Sequence, residues 1–158
     1  MNIVMEEKQF STLVSNIISI KPLFYKALGK PVSSNSDITP AAYYLLLYLK
    51  KCDSLSMSDL GKLLLISKPN VTVLVNKLIT KGFVVRSSDK QDRRIIMIRL
   101  SSKGIQFVEK NTKKHLNQIK QRLMSLSDEE LELLSISIQN VKDILSKIPI
   151  PDSNELKN

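Results

Sequence analysis

Lys68, Asn70, Thr72, Asn76, Lys77 and Thr80 place two cations and four hydrogen-bonding side chains within thirteen residues. No Asp or Glu occurs between Ser67 and Lys81. Donors and acceptors unmixed with carboxylates suit a partner that is acidic and forms hydrogen bonds. A second cluster follows at Asp89, Lys90, Asp92, Arg93 and Arg94. A carboxylate beside an arginine can hold the guanidinium fork in one direction. An arginine so aimed suits a target such as the minor groove of DNA.

Both clusters need scaffolds, and the flanking residues supply them. Ser67 has the type of an N-cap, Pro69 falls in the first helical turn, and Gly82 follows the last. Between them Val71, Leu74, Val75 and Leu78 recur at three- and four-residue steps, so one face of a helix over 67–81 is buried and the polar face looks out. Phe83–Arg86 and Ile95–Leu100 are rich in β-branched residues around a polar turn, which predicts a hairpin with the second cluster at its tip. In it Ile96, Ile98 and Leu100 face inward, and Ile95, Met97 and Arg99 face out. Upstream, Ser56 caps a short helix over Met57–Leu65, and Ile66-Ser67 turns into the next helix. Short helix, tight turn and second helix with a polar outer face make a helix-turn-helix.

Residues 55–104 resemble the winged helix-turn-helix of the multiple-antibiotic-resistance regulator (MarR) family of bacterial transcription factors. The matching stretches are Leu55-Ser-Met-Ser-Asp-Leu60, Ile66-Ser-Lys-Pro-Asn-Val-Thr72, Leu74-Val75, Lys81-Gly82, Asp89-x-x-Asp92-Arg93-Arg94 and Ile98-x-Leu100-Ser101-x-x-Gly104. Gly61 stands where that family usually has alanine, Asn76 where an acid is common, and Ser101 where threonine is usual. The resemblance implies a homodimeric, sequence-specific transcriptional regulator, a repressor on a pseudo-palindromic operator, released by a small ligand or an oxidant. The residues expected at DNA are Ser67, Lys68, Pro69, Asn70, Thr72, Asn76, Lys77, Arg86, Asp92, Arg93 and Arg94.

Composition bounds the remainder. The 158 residues are 42% hydrophobic and 25% charged, ordinary for a soluble domain. No run of about 18 apolar residues occurs, and acids stand at the N-terminus where a signal peptide needs cations, so a cytoplasmic protein is expected. The net charge of +9 is unevenly spread. Residues 60–122 hold 15 Lys and Arg against 3 Asp and Glu, whereas residues 1–59 hold 6 against 5 and residues 123–158 hold 3 against 7. A basic excess confined to the segment with the helix and the wing is the electrostatic footprint of nucleic-acid binding.

The expected fold is mainly α with a small β-hairpin. A winged lobe (39–100) sits between an N-terminal dimerisation helix and loop (1–38) and C-terminal dimerisation helices (101–158). Phe10, Leu13, Ile17, Ile20, Phe24 and Leu28 stripe a helix over 4–28, kinked at the interior Pro22. Residues 29–38 form a loop. Thr39 and Pro40 open a nearly all-apolar helix ending at Lys50-Lys51. Ser101 caps a long helix to about Ser125. Ser127-Asp-Glu-Glu130 is a capping box for a last helix stopped by Pro149, with a frayed tail over 152–158. That helix carries two apolar strips, one through Leu131, Leu134, Ile138, Val141, Leu145 and Ile148, the other through Leu133, Ile136 and Ile144. One chain of this size has little left to cover both, which points to a second copy.

Other residues carry two readings each. Arg94 is a groove probe aimed by Asp92, or a surface ion pair. Ser67 caps its helix, bonds a phosphate, or does both. The lone Cys52 excludes an internal disulfide. It is a plain, partly buried thiol or, with Lys50 and Lys51 beside it, an oxidant sensor. His115 borders a helical stripe with no second metal ligand nearby. Phe24, Tyr25, Tyr43, Tyr44 and Tyr48 are core residues or the lining of a ligand cavity. No nucleophile–base–acid set, glycine-rich phosphate loop or apolar carboxylate pair is present, so neither catalysis nor a cofactor is expected. The alternative to DNA reading is a winged helix that docks on a protein.

Overall fold

A computed structural model describes residues 6–29, 38–88, 92 and 94–149. Among them are six helices and three short strands: α1 (Glu7–Leu28), α2 (Pro40–Cys52), β1 (Ser54–Ser56), α3 (Met57–Leu64), α4 (Lys68–Thr80), β2 (Val84–Ser88), β3 (Ile96–Leu100), α5 (Ser102–Leu123) and α6 (Asp128–Leu145).

Local chemistry starts most of these elements. Thr39, Ser56, Ser101 and Ser127 each accept a first-turn backbone N–H, from Ala42, Asp59, Gly104 and Glu130 respectively. The Glu130 carboxylate in turn accepts from the Ser127 N–H and completes the capping box. Ser67 departs from expectation. It occupies the N-cap position of α4, but its side chain makes no capping bond. α1 runs unbroken through Pro22 from Glu7 to Leu28, because the apolar phase continues past the proline. α6 ends at Leu145, short of Pro149, so Ile148 lies beyond the helix.

The core forms where apolar faces converge. α2 contributes Ala42, Tyr43, Leu45, Leu46 and Leu49, and packs on Leu60 of α3 and on Val71, Val75 and Leu78 of α4. Phe83, Val84 and Ile98 close it from the sheet, and Val108 closes it from α5. The second turn of α5 is therefore part of the lobe as well as of the helix that leaves it.

The sheet is antiparallel in the order β1-β3-β2. Arg86 faces Ile98 in one register, and Leu55 faces the same Ile98 in the other. Two details correct the sequence reading. The hairpin has a third strand, β1, whose Ser-Leu-Ser is too short to show periodicity. Of the three β3 residues expected inside, only Ile98 is fully buried, while Ile96 is 48% exposed near the wing tip, where no core lies beneath it.

Neither α1 nor α6 fully buries a side chain within the chain, although Phe24, Leu28, Leu131, Leu134 and Ile138 are half-buried. Ile18 is 70% exposed and Leu133 66%, on stripes that also hold Phe10, Ile17, Ile136 and Ile144. Contiguous apolar surface on this scale marks an interaction face.

Candidate nucleic-acid interface

The chain bends by 107° between α3 and α4. Leu65 makes the turn in the left-handed region (φ 52°), and the Ile66 N–H returns to the Gly61 carbonyl at 3.1 Å. At the far end of α4, Gly82 is left-handed (φ 73°), as its position after the last turn predicts. The Gly82 N–H bonds Ile79 O, and the Phe83 N–H bonds Leu78 O, a Schellman closure that sends the chain straight into β2. Thirteen residues at 1.5 Å each make α4 about 20 Å long.

Val71, Val75 and Leu78 are buried, which turns Ser67, Lys68, Pro69, Asn70, Thr72, Asn76 and Lys77 to solvent. The Thr72 hydroxyl donates to Lys68 O at 3.0 Å, so outward its oxygen can only accept and its methyl can only pack. The Ser67 hydroxyl, free of capping, remains a donor and an acceptor. Arg86, in mid-β2, donates from Nη2 to Asn76 Oδ1 at 2.7 Å and so links wing to helix. The sequence names both residues but not their bond.

At the wing, Asp92 grips Arg94 at three points. Asp92 Oδ1 accepts from the Arg94 backbone N–H at 3.0 Å and from Nε at 3.1 Å, and Oδ2 accepts from Nη2 at 3.3 Å. The Arg94 side chain is nonetheless 91% exposed. The Asp92–Arg94 contact that the spacing predicts is therefore present. Arg93, with Asp89, Lys90 and Gln91, lies outside the described residues.

The root of the wing is fastened to both neighbouring helices. Ser101 Oγ donates to Gly82 O at 2.6 Å and accepts from the Gly104 N–H at 3.0 Å. The Ser101 N–H bonds Phe83 O at 3.0 Å, and Lys103 Nζ bonds Lys81 O at 2.8 Å while lying over the Phe83 ring. A Cβ on Gly104 would collide with Phe83 O, so only glycine permits this approach.

A family model described as the MarR family matches residues 36–95. The HTH-type transcriptional repressor MdtR of Bacillus subtilis is 31% identical over 106 residues, which cover 65% of this chain and 68% of MdtR. The chain belongs to the MarR family. Its relatives are HTH-type transcriptional regulators. The fold agrees with a MarR family protein from Bacillus stearothermophilus, at a TM-score of 0.76 and 23% identity over 91% of this chain and all of that one. It also agrees with a cysteine-to-serine mutant of Escherichia coli MarR complexed with operator DNA, at 0.64 and 20% over 84% of this chain and 96% of that one. No single helix among the described residues of this MarR-family chain is long and apolar enough to cross a membrane.

A concavity lies between α1, α2 and α5. It is open to solvent, has a volume of about 280 Å³ and is lined by Phe24, Tyr25, Tyr43, Tyr44, Thr112 and His115 with aliphatic neighbours. The two readings of the tyrosines thus divide. Tyr43 is core, with its hydroxyl 3.1 Å from Thr112 Oγ1, and it also shows an edge to the cavity; Tyr48 is not among the lining residues. Burial raises the Tyr44 phenol above its usual range, and the adjacent Tyr25 raises it further. Burial lowers the His115 imidazole below its usual range, and its buried Nδ1 has no hydrogen-bond partner among the described residues. No group of three metal-ligating side chains occurs among the described residues. Cys52, expected to be partly buried, is exposed, because it ends α2 just before Asp53 takes a positive φ of 63°.

Proposed function

We propose that this MarR-family chain is a homodimeric, sequence-specific transcriptional repressor acting on a pseudo-palindromic operator. The observation that carries the reading is the pairing of two exposed surfaces on one lobe: the carboxylate-free face of α4 and the Asp92-held guanidinium of Arg94. α4 enters a major groove with Asn70 and Thr72 toward base edges and Ser67, Lys68 and Lys77 toward phosphates, while Pro69 shapes its first turn. Arg94, with Arg93 beside it, enters the flanking minor groove. The apolar stripes of α1 and α6 support a second copy as the cover of those helices. Repression rests on the likeness to MdtR, which is named a repressor.

The cavity between α1, α2 and α5 supports control by a small ligand. It lies where the lobe meets the extension, and its lining holds no Asp, Glu, Lys or Arg, while burial favours the neutral form of His115. It therefore suits an uncharged aromatic or amphiphilic molecule with a hydrogen-bonding group for His115 Nδ1.

Selection from random duplexes tests the reading. The expected product is an inverted repeat with half-sites about one helical turn apart, bound by a particle of twice the chain mass in sedimentation. Arg94→Ala is expected to weaken that complex while the dimer persists. Recovery of no enriched sequence would point to a winged helix that docks on protein and would end this reading.

A further inference from the structure

Arg86 is tethered by a partner that leaves its charge intact. Its Nη2 bonds Asn76 Oδ1 at 2.7 Å, both side chains are exposed, and Arg86 forms no ion pair among the described residues. A carboxamide accepts the bond that a carboxylate would accept, but it does not cancel the guanidinium. Asn76 Nδ2 donates to no protein group among the described residues, so two amide N–H groups remain beside the unused N–H groups of Arg86. Asn76 is further fixed by its place on α4, where Thr80 Oγ1 bonds its carbonyl, and Arg86 by its register opposite Ile98.

The location decides what this cationic donor array meets. The bond spans the seam between the helix and the wing. If the helix lies in a major groove and the wing in the next minor groove, the sugar-phosphate strand dividing those grooves must cross the seam. We propose that Asn76 and Arg86 act as one phosphate grip, with Arg86 carrying the charge and Asn76 acting as a positioning residue, so that Asn76 reads no base. The inference rests on the DNA-binding reading above. It assigns to Asn76 a role that its place on the reading face alone does not. It also gives a physical reason for an amide here: aspartate would hold Arg86 as firmly but present a neutral pair to an anion.

The test is fluorescence anisotropy of the full-length protein on two labelled duplexes, the selected operator and a scrambled one, across about 50 to 200 mM salt. The variants are Asn76→Asp, which keeps the tether and cancels the charge, and Arg86→Ala, which removes both. Each is expected to reduce the slope of log K against log salt by about two, one for each protomer of the dimer. Each is also expected to weaken both duplexes by a similar factor, roughly ten-fold. Melting temperatures at or above wild type for Asn76→Asp show that the fold is intact, since the aspartate gains an ion pair. A wild-type slope for Asn76→Asp overturns the inference, and so does weakening confined to the operator, which would make Asn76 a base reader. If the wild-type protein binds neither duplex, the DNA-binding reading falls and this inference with it. Steep wild-type binding with unaltered variant slopes removes this inference alone.

Discussion

Replacing Asp92 by alanine separates two effects of opposite sign. The carboxylate touches Arg94 through its backbone N–H, Nε and Nη2. The pair is exposed, with the Arg94 side chain 91% accessible, so its share of folding stability is below about 1 kcal/mol and the melting temperature should barely move. The effect on DNA binding is larger. A free arginine carries roughly 2 kcal/mol of rotamer entropy that contact with the groove must remove. If Asp92 has already removed about half of it, its loss weakens each wing by about 1 kcal/mol, or roughly five-fold. Two wings on one operator then lose about 25-fold where their effects add. Charge alone predicts the reverse, since deleting a carboxylate near DNA strengthens the attraction, most of all at low salt. Anisotropy titrations of the operator at low and high salt decide between them. Weakening at both, greater at high salt where the compensating attraction is screened, supports an aimed arginine. Asp92→Asn keeps an oxygen for the backbone N–H and should fall between alanine and wild type. Alanine-variant binding as tight as wild type at every salt concentration would refute the aiming role.

Gly104→Ala places a methyl against Phe83 O and must shift the wing root, at a cost of about 1–3 kcal/mol or more in a urea titration. The two serine caps should behave differently under the same substitution. Ser127→Ala opens the α6 capping box and costs about 1 kcal/mol, whereas Ser67→Ala removes no capping bond, changes stability by less than about 0.5 kcal/mol, and weakens DNA binding instead. Burial holds the His115 pKa below its ordinary 6.5, so the unfolded chain takes up that proton first as pH falls. The His115 contribution is complete above pH 6.5 and is lost as pH drops toward the lower folded value. Melting temperatures from about pH 7.5 to about pH 5.5 should therefore decline less steeply in His115→Gln than in wild type.

The parts of this protein that were legible in its sequence are those fixed by nearest neighbours along the chain. The helix caps at Thr39, Ser56, Ser101 and Ser127, the left-handed Gly82 and the polar face of α4 all follow from residue type and local spacing. So does the Asp92–Arg94 pair, whose partners stand two residues apart. Contacts across longer separations were not legible. The Arg86–Asn76 bond and the Lys103 bond to Lys81 O join residues 10 and 22 apart, and no periodicity encodes them. β1 is invisible because its pairing partner, β3, supplies the order that three residues cannot. Ser67 shows the limit even of local rules, since a favoured capping residue at the capping position leaves its hydroxyl unspent. The tyrosine cavity needed α1 and α5 to be placed side by side before its lining could exist. Arg122, which donates to the Lys26 and Ala27 carbonyls from 96 and 95 residues away, is one of the bonds that place them.

The same bonds indicate which part of the lobe can move. The end of α4, the root of β2 and the start of α5 share the Schellman closure, the Ser101 and Lys103 bonds and the close approach at Gly104. Helix and wing therefore shift as one body. α1 and α6 fully bury no side chain in the chain and are the looser attachment. In the proposed dimer, a molecule filling the cavity at that boundary would change the distance between the two lobes and leave each lobe unaltered. Ile119→Trp, which adds bulk to the cavity, can stand in for such a molecule. It should weaken binding to the full operator while a duplex with one half-site is bound as by wild type. Equal weakening on both duplexes would mean that the disturbance reaches α4 itself, and the rigid-lobe argument would fail.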